Sequence, residues 1–95
     1  MTMRQVSKIQ DEKASFLSGR TDNLELHHCL NGTHQRKKCD QDGLVVWLTH
    51  DEHWNLHNTI EGKEKKRWLK QVAQEVYEQD HTREEFIKRY GKSYL

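Results

Sequence analysis

Proline is absent from these 95 residues, and no internal repeat, low-complexity segment or proline-rich linker is visible. Nor does any apolar run approach the roughly 20 residues of a membrane-spanning helix, so a soluble protein is expected. The opening MTMRQVSKIQDEK lacks the apolar stretch of a secretory signal, and the expected address is the cytoplasm. Cysteine is scarce as well. In a reducing compartment Cys29 and Cys39 are expected to stay as buried thiols, with a disulfide, or a zinc site shared with His34, as alternatives. Neither sign of charge dominates: the net charge is +1, so a nucleic-acid surface has to come from local basic clusters rather than a global field. Apolar residues are few too, at 33% against 33% charged, which leaves a small core for one small domain. Such a chain is expected to need a staple, and a bound metal supplies one because its binding energy becomes folding energy.

What the chain does have is histidine, seven in all, in a telling arrangement. Residues 1–13 are polar and mixed in charge, and read as a flexible arm ahead of a single domain over 14–95. Ala14 to Leu17 is a short apolar patch closed by the turn formers Ser18 to Asn23. Leu24-Glu25-Leu26 alternates apolar and polar, a half-buried strand running into His27-His28. A turn is expected at Asn31-Gly32, then a polar segment from His34 to Asp42 and a second turn at Asp42-Gly43. Leu44 to Leu48 is a strand apolar throughout, to be covered on both faces. Thr49-x-x-Glu52 has the form of a capping box and starts a helix at His50. After Gly62, a long amphipathic helix over 63–79 carries Trp68, Leu69, Val72, Val76 and Tyr77 at helical spacing. A second capping box, Thr82-x-x-Glu85, opens a helix over 82–90 with Phe86, Ile87 and Tyr90 inward and Gly91 as its stop. Tyr94 and Leu95 are left for docking.

His53 and His57, four apart on one helix, point the same way. That is the spacing with which a helix holds one metal ion. Each half of the pattern has an ordinary reading. Adjacent strand histidines face opposite sides, so one of His27 and His28 can be a surface residue and the other a satisfied core histidine. An H-x3-H pair also arises by chance in a histidine-rich chain. Taken together, the doublet, the returning strand and the histidine helix describe a site.

These pieces resemble the HNH, or His-Me finger, nucleases, and more narrowly the small HNH nucleases of phages of Gram-positive bacteria. The resembling segments are SGRTDNLELHH, the loop NGTHQRKK, DGLVVWL, the helix HDEHWNLHN and the carboxyl-terminal REEFIKRYGKSYL, roughly residues 15 to 95. In the nuclease colicins, members of this class, an adjacent histidine pair and a later H-x3-H build the site. The resemblance implies a small α+β fold: a ββα-metal core over about 24–58 with two additional carboxyl-terminal helices. It implies a metal-dependent DNA endonuclease with His28 as general base and one divalent ion on His27, His53 and His57. Products would carry 5′-phosphate and 3′-hydroxyl ends. Three imidazoles suit zinc, nickel or cobalt as the bound ion, and an active magnesium or manganese form stays open. The central Asn of the class, which holds the base-orienting loop, is replaced by Cys39-Asp40-Gln41-Asp42-Gly43, and Asp42 is expected to stand in for it.

DNA contact is expected from Arg36, Lys37 and Lys38 after the base, and from Lys63, Lys65, Lys66, Arg67 and Lys70 on the long helix, where a plain solvated face is the alternative. Phosphate contacts of this kind give affinity without reading sequence. The rival reading is a catalytically silent phage protein of the same fold that binds a host defence protein or DNA.

Overall fold

The computed structural model describes residues 7–30 and 34–95. The turn expected at Asn31-Gly32 and the first six residues of the expected arm lie outside them. Two strands pair antiparallel: β1 (Leu24–His28) and β2 (Val45–Thr49), with Leu24 opposite Thr49, His27 opposite Val46 and His28 opposite Val45. Four helices accompany them: α1 (Gln35–Asp42), α2 (His50–Asn58), α3 (Ile60–Tyr77) and α4 (Arg83–Tyr90). This is a small α+β arrangement, compatible with a ββα core formed by β1, β2 and α2.

The β2–α2 junction has no loop. Thr49 ends the strand and caps the helix: its hydroxyl accepts from Glu52 N, and the Glu52 carboxylate accepts from Thr49 N at 2.9 Å. Two of the helix's orphan donors are thereby satisfied, as the Thr49-x-x-Glu52 pattern predicts. The same device at Thr82 and Glu85 opens α4, and Gly91, in the left-handed region at φ 98°, ends it.

β2 forms the centre of the core. Val45, Val46 and Leu48 are buried with Cys29, Leu30, Cys39, Leu44, Leu56, Leu69, Ala73, Tyr77, Phe86 and Tyr90. The free edge of β2 is covered by the segment from Ser7 onward. Ser7 Oγ donates to Val45 O, Trp47 N donates to Gln10 Oε1 at 2.6 Å, and Phe16 N donates to Trp47 O at 2.8 Å. Within the expected arm, Ser7 and Gln10 thus meet the edge of β2, where a strand presents unpaired backbone groups.

α1 is a further departure, because the sequence reads as a polar segment there. One residue of α1, Cys39, is buried, so no apolar periodicity announces the helix. Polar bonds to the end of α4 hold it. Lys38 Nζ donates to Arg89 O at 2.7 Å, Gln35 Nε2 to Tyr90 O at 3.3 Å, and the Asp42 carboxylate accepts from Arg89 Nε at 2.6 Å and from the Tyr90 hydroxyl. The carbonyls at a helix C-terminus attract such cations and donors.

α3 begins three residues before the expected Lys63, capped by Thr59, whose hydroxyl accepts from Gly62 N at 2.9 Å. Gly62 is thus inside the helix rather than a stop before it. A Cβ there would come within 2.1 Å of Asn55 O and 2.7 Å of Leu56 Cα, so glycine is what lets α3 lie against α2. Trp68 stacks on Phe16 with ring centroids 5.7 Å apart and stays partly exposed, while Ile87, expected inward, is exposed. Tyr94 docks through its backbone N on Gln74 Oε1 at 2.7 Å, whereas Leu95 is exposed. Because the atoms opposing Gly62 are backbone, Gly62→Ala is expected to lower stability by roughly 1–3 kcal/mol or more. Urea unfolding checks this, and an unchanged midpoint would contradict the close helix crossing.

Candidate metal centre

His27 lies on the penultimate position of β1, and His53 and His57 lie one and two turns into α2. The register of β1 on β2, combined with the loop-free start of α2, places these two turns over His27. Ring centroids are 5.3 Å apart for His27 and His53, 5.8 Å for His27 and His57, and 5.1 Å for His53 and His57. One nitrogen from each ring comes within 4.8 Å of the other two, and this trio can hold a metal ion. Around an ion bonded at about 2.0–2.1 Å, tetrahedral ligand nitrogens stand roughly 3.4 Å apart, inside the 4.8 Å that bounds this trio.

The chemistry of the trio fits a cation. His27 is 2% exposed, and burial, with His53 and His57 adding to it, pushes its pKa down to about 3. The ring is therefore neutral and keeps a lone pair at ordinary pH. Its Nε2 is buried without a hydrogen-bond partner among the described residues, a condition that costs roughly 1–3 kcal/mol. A metal bond removes that cost. His57 is likewise held below the usual imidazole range, by burial first, then Lys66 and His53.

Partners outside the trio orient it. Glu25 Oε1 accepts from His53 Nδ1 at 2.9 Å, which leaves His53 Nε2 as the ligand atom, and Glu25 Oε2 accepts from His50 Nδ1 at 2.6 Å. His50, then His53, hold the Glu25 carboxyl below its usual range. A carboxylate behind a ligating imidazole fixes its tautomer and raises its basicity. Lys66 Nζ lies 3.3 Å from His57 Nδ1.

His28 is the next residue on β1, half-buried, and its Nε2 lies 2.8 Å from Asp40 Oδ1. With the carboxylate accepting, the Nε2 proton is fixed and the lone pair sits on Nδ1. The carboxylate at His28 belongs to Asp40, while Asp42, expected to hold the base-orienting loop, accepts from Arg89 and Tyr90 of α4. His27, His28, His53 and His57 line one cleft of about 250 Å³ with Leu26, Leu30 and Arg36. A larger hollow of about 430 Å³, lined by Arg20, Asp22, Glu25, His50 and Asp51 among others, mixes carboxylates and cations and brings no ligand trio together.

No protein family, curated protein or solved structure matches the chain. The site is therefore read from its own geometry.

Of the expected DNA contacts, Arg36 lines the cleft and Lys66 reaches the trio. Lys37, Lys63 and Arg67 are exposed. Lys38 is half-buried, and its ammonium donates to the Arg89 carbonyl. Cys29 and Cys39 are free, buried thiols, and burial pushes Cys39 up to about 11, far from the thiolate a metal needs. His34 is exposed and stands at the start of α1 outside the trio.

Glu25 and Asp40 were not singled out from sequence. Glu25 had a signal, because it shares a strand face with His27 two residues on. Asp40 had none, since its reach to His28 depends on α1 being a helix. Glu25→Gln is expected to weaken divalent-ion binding by about 10–100-fold with the fold intact. Calorimetric titration with Zn2+ checks it, and wild-type affinity in the variant would show that Glu25 does not support His53.

Proposed function

We propose that this protein is a metal-dependent endonuclease that hydrolyses phosphodiester bonds in DNA. The observation that carries the reading is the convergence of three imidazoles from β1 and α2 in the cleft that also holds His28 with its tautomer set by Asp40. The resemblance to HNH nucleases in LELHH and HDEHWNLHN supports it from the sequence side.

A phosphodiester resists hydrolysis because its charge repels the nucleophile and its alkoxide leaving group is poor. His28 addresses the first step. With Nε2 donating to Asp40, Nδ1 takes a proton from water as the water oxygen bonds to phosphorus, and Asp40 stabilises the imidazolium that results. The bond from phosphorus to the 3′ oxygen breaks, and the departing oxygen takes a proton from solvent, leaving a 5′-phosphate and a 3′-hydroxyl. His27, His53 and His57 would hold the divalent ion, which when bound supplies charge compensation at the scissile phosphate and the leaving oxygen. Zinc, nickel or cobalt match an all-imidazole set, and magnesium or manganese are the ions to test for turnover. Arg36, on the cleft wall, contributes a phosphate contact from α1.

A plasmid-nicking assay across Mg2+, Mn2+, Ni2+ and Zn2+ tests the reading. His28→Ala is expected to reduce nicking by at least about 10²-fold while keeping its metal, because only a proton acceptor is lost. His57→Ala is expected to lose nicking and metal together. Equal nicking by His28→Ala removes this base assignment. A wild-type protein that binds metal yet never nicks would replace the nuclease with the silent domain that binds a host defence protein or DNA.

A further inference from the structure

Lys66 and a metal ion compete for one lone pair. A neutral imidazole has one N–H and one lone pair, and a lysine ammonium only donates. With Lys66 Nζ 3.3 Å from His57 Nδ1, that nitrogen accepts and Nε2 carries the ring proton. If His57 ligates through Nδ1, the ion takes the place of the ammonium. If it ligates through Nε2, the proton moves to Nδ1 and faces the ammonium, N–H against N–H. In both tautomers the Lys66 contact ends when His57 becomes a ligand.

The fold keeps the released side chain nearby. Gly62 draws α3 against Asn55 and Leu56 of α2, and Lys66 follows one helical turn later, beside His57. Leu69, three residues further on, is fully buried and anchors this stretch of α3. The backbone of Lys66 is thus pinned on both sides. Its ammonium starts beside His57, one of the residues lining the histidine cleft, where Arg36 places a second cation on the wall.

We propose that Lys66 is a metal-coupled phosphate ligand: loading of the three-histidine cluster releases its ammonium from His57 and makes it available to a phosphate oxygen of the nucleic acid in the same cleft. The inference rests on His57 being a metal ligand and deepens that reading, because it makes ion and polyanion binding cooperative. Lys66 lowers the intrinsic affinity for the ion and converts the difference into a phosphate contact made only by the loaded site. By linkage the nucleic acid must then tighten the ion in turn.

Two titrations test it, each without reference to turnover. The first is calorimetry with Zn2+ on wild type, Lys66→Met and Lys66→Gln. The second is binding of a short fluorescein-labelled DNA duplex, with and without saturating Zn2+, over a series of salt concentrations. Both variants are expected to bind Zn2+ about three- to tenfold more tightly, since a hydrogen bond that opposes the ion is gone. With Zn2+ present they are expected to bind DNA more weakly, with a log–log salt slope shallower by roughly 0.9, one phosphate contact. Without Zn2+ the loss is expected to be smaller. Circular dichroism confirms the fold of each variant, and agreement between the Met and Gln variants separates loss of the ammonium from a packing change. If wild type binds Zn2+ and both variants bind it equally or less tightly, the coupling is overturned and the metal centre stands. A DNA loss of the same size with and without Zn2+ also overturns the coupling. A wild type that binds no Zn2+ removes the coupling and the metal reading together.

Discussion

Thr49 is the residue on which the geometry of the site depends. It closes the pairing of β2 on β1 opposite Leu24, and it caps α2 in a reciprocal pair of bonds with Glu52. A residue that is both the last of a strand and the cap of a helix leaves no linker to absorb rotation. The direction of α2 over β1 is therefore set by the strand register. Ser15 reinforces the junction, its hydroxyl donating to the same Glu52 carboxylate. His53 and His57 follow at one and two turns, and His27 meets them from below. A register slip of one residue would turn His27 to the other face and separate the trio.

The rest of the chain supplies what such a small domain lacks in apolar mass. The segment from Ser7 to Phe16 seals the open edge of β2, and α3 covers α2 through the contact at Gly62. α1 is held by charge-assisted bonds to α4, which brings Asp40 to His28 and Arg36 to the cleft. Charge-assisted hydrogen bonds are roughly twice as strong as neutral ones, and this is how a helix with one buried residue stays in place. Among the described residues, Gln35 Oε1 and His27 Nε2 are the buried side-chain atoms without a hydrogen-bond partner, and the one at the site is His27 Nε2. Its cost to the fold is offset once an ion binds, so metal loading and stability are linked.

Much of this was legible in the sequence where a local rule speaks. Both capping boxes, the strand expected over Leu44 to Leu48, which runs one residue later as Val45–Thr49, and the role of Gly91 follow from short patterns with fixed physics. The pairing of His27 with His53 and His57 follows from two periodicities, two for a strand and about 3.6 for a helix. Three features were illegible because they arise from tertiary contact. α1 has no apolar stripe, and it exists because α4 offers it carbonyls and an arginine. Gly62 looks like a stop from sequence, whereas the need for it comes from the backbone of another helix. Residues 7–13 look unstructured until the edge they cover is in view. The first of them is why the contact of Asp40 with His28 and that of Lys38 with α4 could not be read from sequence.

The central claim is that one divalent ion is held by His27, His53 and His57. X-ray absorption at the zinc edge of the Zn2+-loaded protein tests it most directly. The account predicts about three imidazole nitrogens at roughly 2.0–2.1 Å, completed by oxygen and lost in His57→Ala. Sulfur at roughly 2.3 Å, which only Cys29, Cys39 or a methionine can supply, or a shell of oxygen alone, would contradict it.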